Sequence, residues 1–484
     1  MINQATWAPN PVDLCQAGPY RIARSSGNVA PIADLLVADF ARYRHPAECG
    51  GPLSNPIIAP RSVPAWAPAK WTQNFQAGHG WSIAGGNVGS SNLDDTSEFV
   101  RGTQSVSITT AGHATANGAG VDQANVQRLA APALDLTGKA IRLLFKVSDV
   151  SKLRWISFYV GTASLANSFK WRVHTHTGTQ NWVQTGEWVM VTLQWGDVQS
   201  ASGAFSLSSS RVPSTTTGFT DLRFQVIDAG TGPVNVRLQS VELVDDTSVS
   251  YSEGLVSITF DDSWADVFDN GRPAMDTYGY RGTTYTIADQ IGTTAKYTTA
   301  QLRAAQDLSG WEVAGHSHRG LIHEKRYDGV TADEVDTDAA NLRAWLVENG
   351  FHGDSFAYPG GRFGKTTDGI SVESIVARYF GTGRSIIAED NREITPPPMP
   401  YRLRSLTGIS SFANGLSNPA NLAGPGGLLD RAQQSGGWLI LCFHRVIDTA
   451  PTNSAECHRD DFAAIMRAIN ARGMTVLPVG EVIK

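Results

Sequence analysis

Three places in the sequence set acids or imidazoles directly after a run of apolar and β-branched residues, and a fourth sets a turn there. VSITFDDSW (256–264) ends in Asp261 and Asp262, and WEVAGHSHRGLIH (311–323) brings His316, His318 and His323. DSFAYPGG leads into Tyr358, Pro359 and Gly360, and WLILCFH closes on His444. Neighbouring carboxylates beside a buried strand repel each other and resist desolvation, so they need a compensating charge. One Asp and two His with an open position suit a divalent metal. The second carboxylate and the remaining imidazole are then free to act as base and acid. Each piece alone has a plainer explanation. A DD pair can be a helix N-cap followed by a first-turn acid, a strand-end His can be structural, and YPGG is an ordinary turn signal. Their placement at successive strand ends favours the chemical reading.

That placement depends on the elements around them. From about 250 to 484, short apolar runs alternate with amphipathic helical patterns. LVSITF, TTYTI, WEVAG, DSFAY, YFGTG, WLILCF and MTVLPV read as strands. TADEVDTDAANLRAWLVENG sets Val335, Ala339, Leu342 and Leu346 on one helical face, with Gly350 suited to the C′ position. DDFAAIMRAINARG does the same with Phe462, Ile465 or Met466, and Ile469, ending at Gly473. Alternating strands and helices predict a parallel sheet covered by helices, with chemistry at the C-terminal strand ends. Residues 71–247 differ. Ile141, Leu143, Phe145 and Val147 alternate with polar residues, as do Phe169, Trp171 and Val173, then Leu222, Phe224 and Val226, then Val234, Val236 and Leu238. Period-two strands in succession predict an antiparallel sandwich. Residues 1–70 are rich in Pro and Gly and read as an arm or linker, with one short helical pattern at PIADLLVADFARYRH.

The 484 residues suggest two or three domains, and 41% hydrophobic with 17% charged residues is a soluble globular composition. A net charge of −6 without a Lys/Arg cluster argues against nucleic acid and anionic membranes as partners. No apolar run approaches the ~20 residues that span a bilayer. The start, MINQATWAPNPVDLCQ, has neither the basic nor the apolar region of a secretory signal. The protein is expected to stay inside, to reach the outside as part of a virion, or to have lost a signal. Cys15, Cys49, Cys442 and Cys457 show no zinc-ribbon or disulfide spacing, and Cys442 is expected to be a buried thiol.

TFDD, WEVAGHS, FAYPGGR, YFGTGRS and LILCFH, in this order, resemble the motifs of polysaccharide deacetylases of the NodB-homology type, carbohydrate esterase family 4. The resemblance covers roughly residues 251–484. It implies an α/β fold, a distorted (β/α) barrel with fewer than eight strands. It also implies metal-dependent removal of acetyl groups from an acetylated polysaccharide, with Zn2+ as the expected cofactor. By the same resemblance Asp261 is the general base, Asp262 and His316 are metal ligands, and His444 is the general acid. Tyr358, Pro359 and Gly360 shape the acetyl pocket, where a backbone N–H, expected from Gly360, helps hold the oxyanion.

The second motif departs from the family pattern. His-Ser/Thr-x-x-His would set its second His at 320, which is Gly320, so either His318 or His323 is left as the third ligand. A chain with only two protein ligands would bind metal weakly. Arg384 in TGRS is a candidate for contact with the base or the substrate, and Asp390 for orienting the acidic His. Nine of the thirteen Trp precede residue 250, and aromatic faces stack on sugars. The front half therefore resembles a jelly-roll-like carbohydrate-binding module, with Trp81 and Trp182 as platforms and Trp171 and Trp155 as core. The competing reading is a polysaccharide-binding structural protein, such as a phage tail component, on a degenerate deacetylase scaffold.

Overall fold

The computed structural model describes residues 69–113, 122–173, 176–177, 180–246, 251–386, 393–395, 397 and 399–483. The expected helix near 31–45, the arm, Cys15, Cys49 and Asp390 lie outside the described residues. The alternating segments of the front half form two six-stranded antiparallel sheets. The first contains Val88–Asp95, Ser105–Thr110, Lys139–Val147, Trp188–Leu193 and Asn235–Asp245, with Trp71–Gln73 on its flank. The second contains Ser82–Ala84, Gln123–Arg128, Leu153–Thr162, Asn167–Val173, Val198–Ser202 and Asp221–Asp228. Their apolar faces share one core, in which Phe145, Phe158, Trp171 and Phe224 are fully enclosed. The Trp171 indole N–H donates to the Gln194 carbonyl at 2.7 Å, so burial leaves no polar orphan there.

Two of the expected sugar platforms belong to the interior instead. Trp81 stacks edge-on against Phe75 in the core, and Trp182 is enclosed with its indole N–H donating to the Arg402 carbonyl at 2.9 Å. Neither presents a face to a sugar. Trp155, expected in the core, is only half-buried, and the guanidiniums of Arg154 and Arg172 lie 4.3 and 4.2 Å from its ring centroid.

The back half builds a parallel sheet from β1 (Leu255–Phe260), β2 (Thr283–Ile287), β3 (Glu312–Ser317), β4 (Ser355–Ala357), β5 (Thr382–Arg384) and β6 (Trp438–Phe443). Their order is β5-β4-β3-β2-β1-β6, and β7 (Thr475–Val476) pairs with the start of β1. A short extended segment, Leu403–Leu406, fills the gap between the outer strands. Leu403 bridges Arg384 of β5, and Leu406 bridges Leu441 of β6. The Leu403 N–H donates to the Gly383 carbonyl at 3.0 Å, and the Cys442 N–H to the Leu406 carbonyl at 2.8 Å. The sheet is thereby closed into a barrel of six strands and this seam, smaller than the usual eight.

Alternation along β1 sends Val256, Ile258 and Phe260 outward under the helices, and Ser257, Thr259 and Asp261 inward. The helices α1 (Thr299–Ser309), α2 (Gly320–Lys325), α3 (Ala332–Glu348), α4 (Leu428–Ser435) and α5 (Arg459–Ala471) lie around the sheet. In α3, Thr331 and Glu334 form a reciprocal capping box, while Val335, Ala339, Leu342 and Leu346 face the sheet at zero exposure. Gly350 and Gly473 follow α3 and α5 with φ of 71° and 64°, where a side chain would be strained. Among the described residues no helix is long and apolar enough to cross a membrane.

Candidate active site

Strand parity alone would send Asp261 and Asp262 to opposite faces. The chain avoids this by turning sharply, with Asp262 and Ser263 both left-handed at φ 66° and 60°. Such a pair costs free energy and needs support from its surroundings. The Ser263 hydroxyl accepts the Ile287 N–H at 3.0 Å, and the Ser263 carbonyl accepts the Tyr297 N–H at 2.8 Å. The Lys296 ammonium donates to the Asp262 carbonyl at 2.7 Å and sits over the Trp264 ring. So braced, both carboxylates reach the same rim of the barrel. His316 Nε2 lies 3.9 Å from Asp261 Oδ2 and 3.5 Å from Asp262 Oδ1.

The partners of the two aspartates differ. Asp261 is buried and accepts from a single nitrogen of Arg384, at 2.6 Å to each oxygen. Cys442 adds its thiol at 3.4 Å. Burial raises the Asp261 pKa, but Arg384, then His316 and His444, outweigh it and hold the carboxyl below its usual range. Asp262 is also held below its usual range. Its burial is outweighed by the adjacent imidazoles of His316 and His323 and by His444.

Asp262, His316 and His323 converge, with one ligand atom from each lying within 4.8 Å of the others. The three separations are 3.5 Å (Asp262 to His316), 3.2 Å (Asp262 to His323) and 3.1 Å (His316 Nε2 to His323 Nε2). Ligands held at zinc distances in a tetrahedron stand about 3.3–3.4 Å apart, so these residues fit a cation of that size. The His316 Nδ1 makes a 2.7 Å hydrogen bond with the Ala357 carbonyl. That bond requires a proton on Nδ1, which turns a lone pair on Nε2 toward the group. Burial, and then the neighbouring His316, lowers the His323 pKa and favours its neutral, ligating form.

Of the two alternatives for the third ligand, the fold brings His323 to the group and leaves His318 outside it. The His318 N–H donates to Asp338 Oδ2 at 2.8 Å, and its carbonyl accepts from Asp289. Helix α2 then carries His323 back over the strand end. His444 sits half-buried at the same rim, with Nε2 4.0 Å from Asp262 Oδ2, and forms a second close group with Asp261 and Cys442.

Two expected substrate contacts are corrected. Arg384 is 1% exposed and spends its guanidinium on Asp261, Ser405 and the Tyr285 ring, so it meets Asp261 and is closed to a substrate. The Tyr358 ring is enclosed with its hydroxyl on the Tyr401 carbonyl, and Pro359 is buried behind it. Of that turn, Gly360 reaches the surface. It has φ 62°, and Arg326 lies so close that a Cβ would meet its Nε at 2.5 Å.

Sequence reasoning missed Asp338. It is buried, accepts the N–H groups of His318 and Arg319, and receives the Tyr327 hydroxyl at 2.7 Å. Burial raises its pKa. The signal was present, since Asp338 lies three residues after Val335 and four before Leu342, on the face that turns inward.

Residues 248–374 match a family profile described as polysaccharide deacetylase. A curated relative, YxkH of Bacillus subtilis, provisionally named a polysaccharide deacetylase, is 28% identical over 118 residues, which are 24% of this chain. The chain spans 40% of that relative's length. Among solved structures, the Xyl-CE4 domain of a xylanase from the hindgut metagenome of Trinervitermes trinervoides is 18% identical. That match covers 48% of this chain and 89% of that one, at a TM-score of 0.31. A family 4 carbohydrate esterase from Streptomyces lividans is also 18% identical, covering 46% and 91% at a TM-score of 0.28. The matched stretch holds TFDD, the His316–His323 segment and FAYPGG, and in it the chain is similar to polysaccharide deacetylases.

Proposed function

We propose that residues 250–484 form a hydrolase that removes acetyl groups from a polysaccharide with the help of a divalent cation, Zn2+ fitting best. The observation that carries this reading is the Asp262–His316–His323 triangle, with Asp261 and His444 grouped together beside it. A cation held by that triangle supplies Lewis-acid polarisation of the acetyl carbonyl. The chain's own residues do the rest. Asp261, kept ionised by Arg384, takes a proton from the attacking water. The water oxygen adds to the acetyl carbon. As the C–N or C–O bond breaks, the His444 imidazolium gives its proton to the departing amine or alkoxide. The turn at Gly360 borders the acetyl group. Residues 71–247 form a companion β-sandwich unit, residues 1–70 an arm, and the substrate is a glycan outside the cell or on its surface.

The binding-protein alternative is not favoured, because a degenerate scaffold has no reason to keep two imidazole nitrogens and a carboxylate at ligand spacing. The test is metal analysis with acetate release from an acetylated glycan. The wild type should hold near-stoichiometric zinc and release acetate, and Asp262→Ala should lose both. A protein without metal that releases no acetate from any acetylated glycan would overturn the reading.

A further inference from the structure

The outward side of the second sandwich sheet carries a pattern that the barrel chemistry does not use. Strand register sets its residues in rows. Lys170, Tyr159, Arg223 and Gln127 lie side by side across four strands. The next row is Arg172, Ser157, Gln225 and Asn125, and beyond it come Trp155, Ile227 and Gln123. Alternation points all of them away from the apolar core, yet Ser157, Asn125 and Gln225 are only 1%, 2% and 8% exposed. The face therefore has a recessed polar floor. The floor is knitted together: the Tyr159 hydroxyl donates to Gln225, and the Gln225 amide donates to Gln123 and Asn125.

Its charge has one sign. Arg172 and Arg223 stand in the rows beside Lys170, and Arg154 joins them over Trp155. No Asp or Glu stands in these rows, in a protein whose net charge is −6. The adjoining segments 114–121 and 174–181 contain none in sequence either. Asp221, at the end of the central strand, is spent on the N–H groups of Ala130 and Leu165. Arg172 Nε is shielded without a hydrogen-bond partner. The contacts with the barrel lie elsewhere, at Trp182 and Glu187 and where Trp195–Asp197 packs on α4.

We infer that this face binds an anionic glycan, with sugar carboxylates drawn above the amide floor to Arg172 and to Arg223, whose Nε and Nη2 also donate to Gln127 Oε1. Planar guanidiniums match carboxylates in a two-pronged fashion that an ammonium cannot reproduce. Four strands at ~4.8 Å spacing give a width of roughly 14 Å, enough for two or three sugar units. The choice of a glycan rests on the deacetylase reading of the barrel, whereas the preference for negative charge rests on the face alone. The ligand is a polyuronate.

The test is a binding titration of the full chain with polygalacturonate, with unsubstituted xylan, dextran sulfate and duplex DNA as comparison ligands. Polygalacturonate should bind, more weakly as salt rises, and at least ~10-fold more tightly than unsubstituted xylan. The Arg172→Gln/Arg223→Gln variant should lose ~10-fold or more of that affinity while releasing acetate from a small soluble substrate at the wild-type rate. Lys170→Gln, a milder change on the same row, should weaken binding without altering the melting temperature. Equal affinity for unsubstituted xylan, tighter binding of dextran sulfate or DNA, or unchanged binding in both variants would overturn the inference. Binding is read without turnover, so an inactive barrel would count against the deacetylase reading alone.

Discussion

Arg384 and Asp261 form the most consequential pair in the barrel, because both are buried and each neutralises the other. Breaking a buried ion pair from one side leaves an uncompensated charge and costs ~3–5 kcal/mol. Asp261→Asn should therefore cut acetate release by ~10²-fold or more and also lower the melting temperature. Unchanged turnover would remove Asp261 as the base. A companion Arg384→Met change should restore part of the stability and none of the rate. The pair also sets a pH dependence. The carboxyl of folded Asp261 titrates below the unfolded value of ~3.9. Its contribution is present above that value and is lost as pH falls through the folded pKa. Urea midpoints should fall from pH 5 to pH 3 more steeply for the wild type than for Asp261→Asn. At the metal triangle, His323→Ala should abolish zinc retention and His318→Ala should leave it intact. The sequence left these two open because the expected second His falls at Gly320, and only the short α2 turn shows which imidazole returns to the rim.

The elements were easiest to read where burial and pattern agree. WLILCF is β6 over its whole length, and the α3 face is fully enclosed as its spacing requires. MTVLPV was harder, because only Thr475–Val476 pairs with β1. The seam was invisible. It follows Arg402 and contains Arg404, two buried arginines that look like surface residues in sequence and are enclosed only because Glu373 and Glu393 meet them. Asp338 shows the same blindness to paired charge. Replacing it by Ala would orphan two backbone donors, at ~1–3 kcal/mol for each buried group left unpaired. Asp338→Ala should therefore lower the denaturation midpoint and weaken zinc binding, since the loop it holds leads to His323. A stable variant with full zinc affinity would show that the loop holds itself.

At the scale of the whole molecule, the sandwich and the barrel meet through charged and aromatic groups. Arg402 donates to Glu187 and Glu373, the Trp182 indole caps the Arg402 carbonyl, and the Arg404 guanidinium lies 5.0 Å from the Trp182 ring. Trp182→Ala should lower the stability of the barrel as well as the sandwich, by the ~3–5 kcal/mol typical of deleting a buried large aromatic. Calorimetry should show the barrel transition moving with it. An unmoved barrel transition would mean that the two units unfold independently.

The seam at Leu403–Leu406 gives that contact a wider meaning. The last stave of the barrel is flanked by residues whose partners belong partly to the sandwich. A gene fragment encoding the barrel alone would encode a ring with a loose stave, next to the strand that carries Arg384. The two halves are thus poor candidates for exchange as separate cassettes. A chimera that keeps this barrel half but borrows another front unit would have to rebuild the grip on Arg402 before Arg384 could hold Asp261 in place.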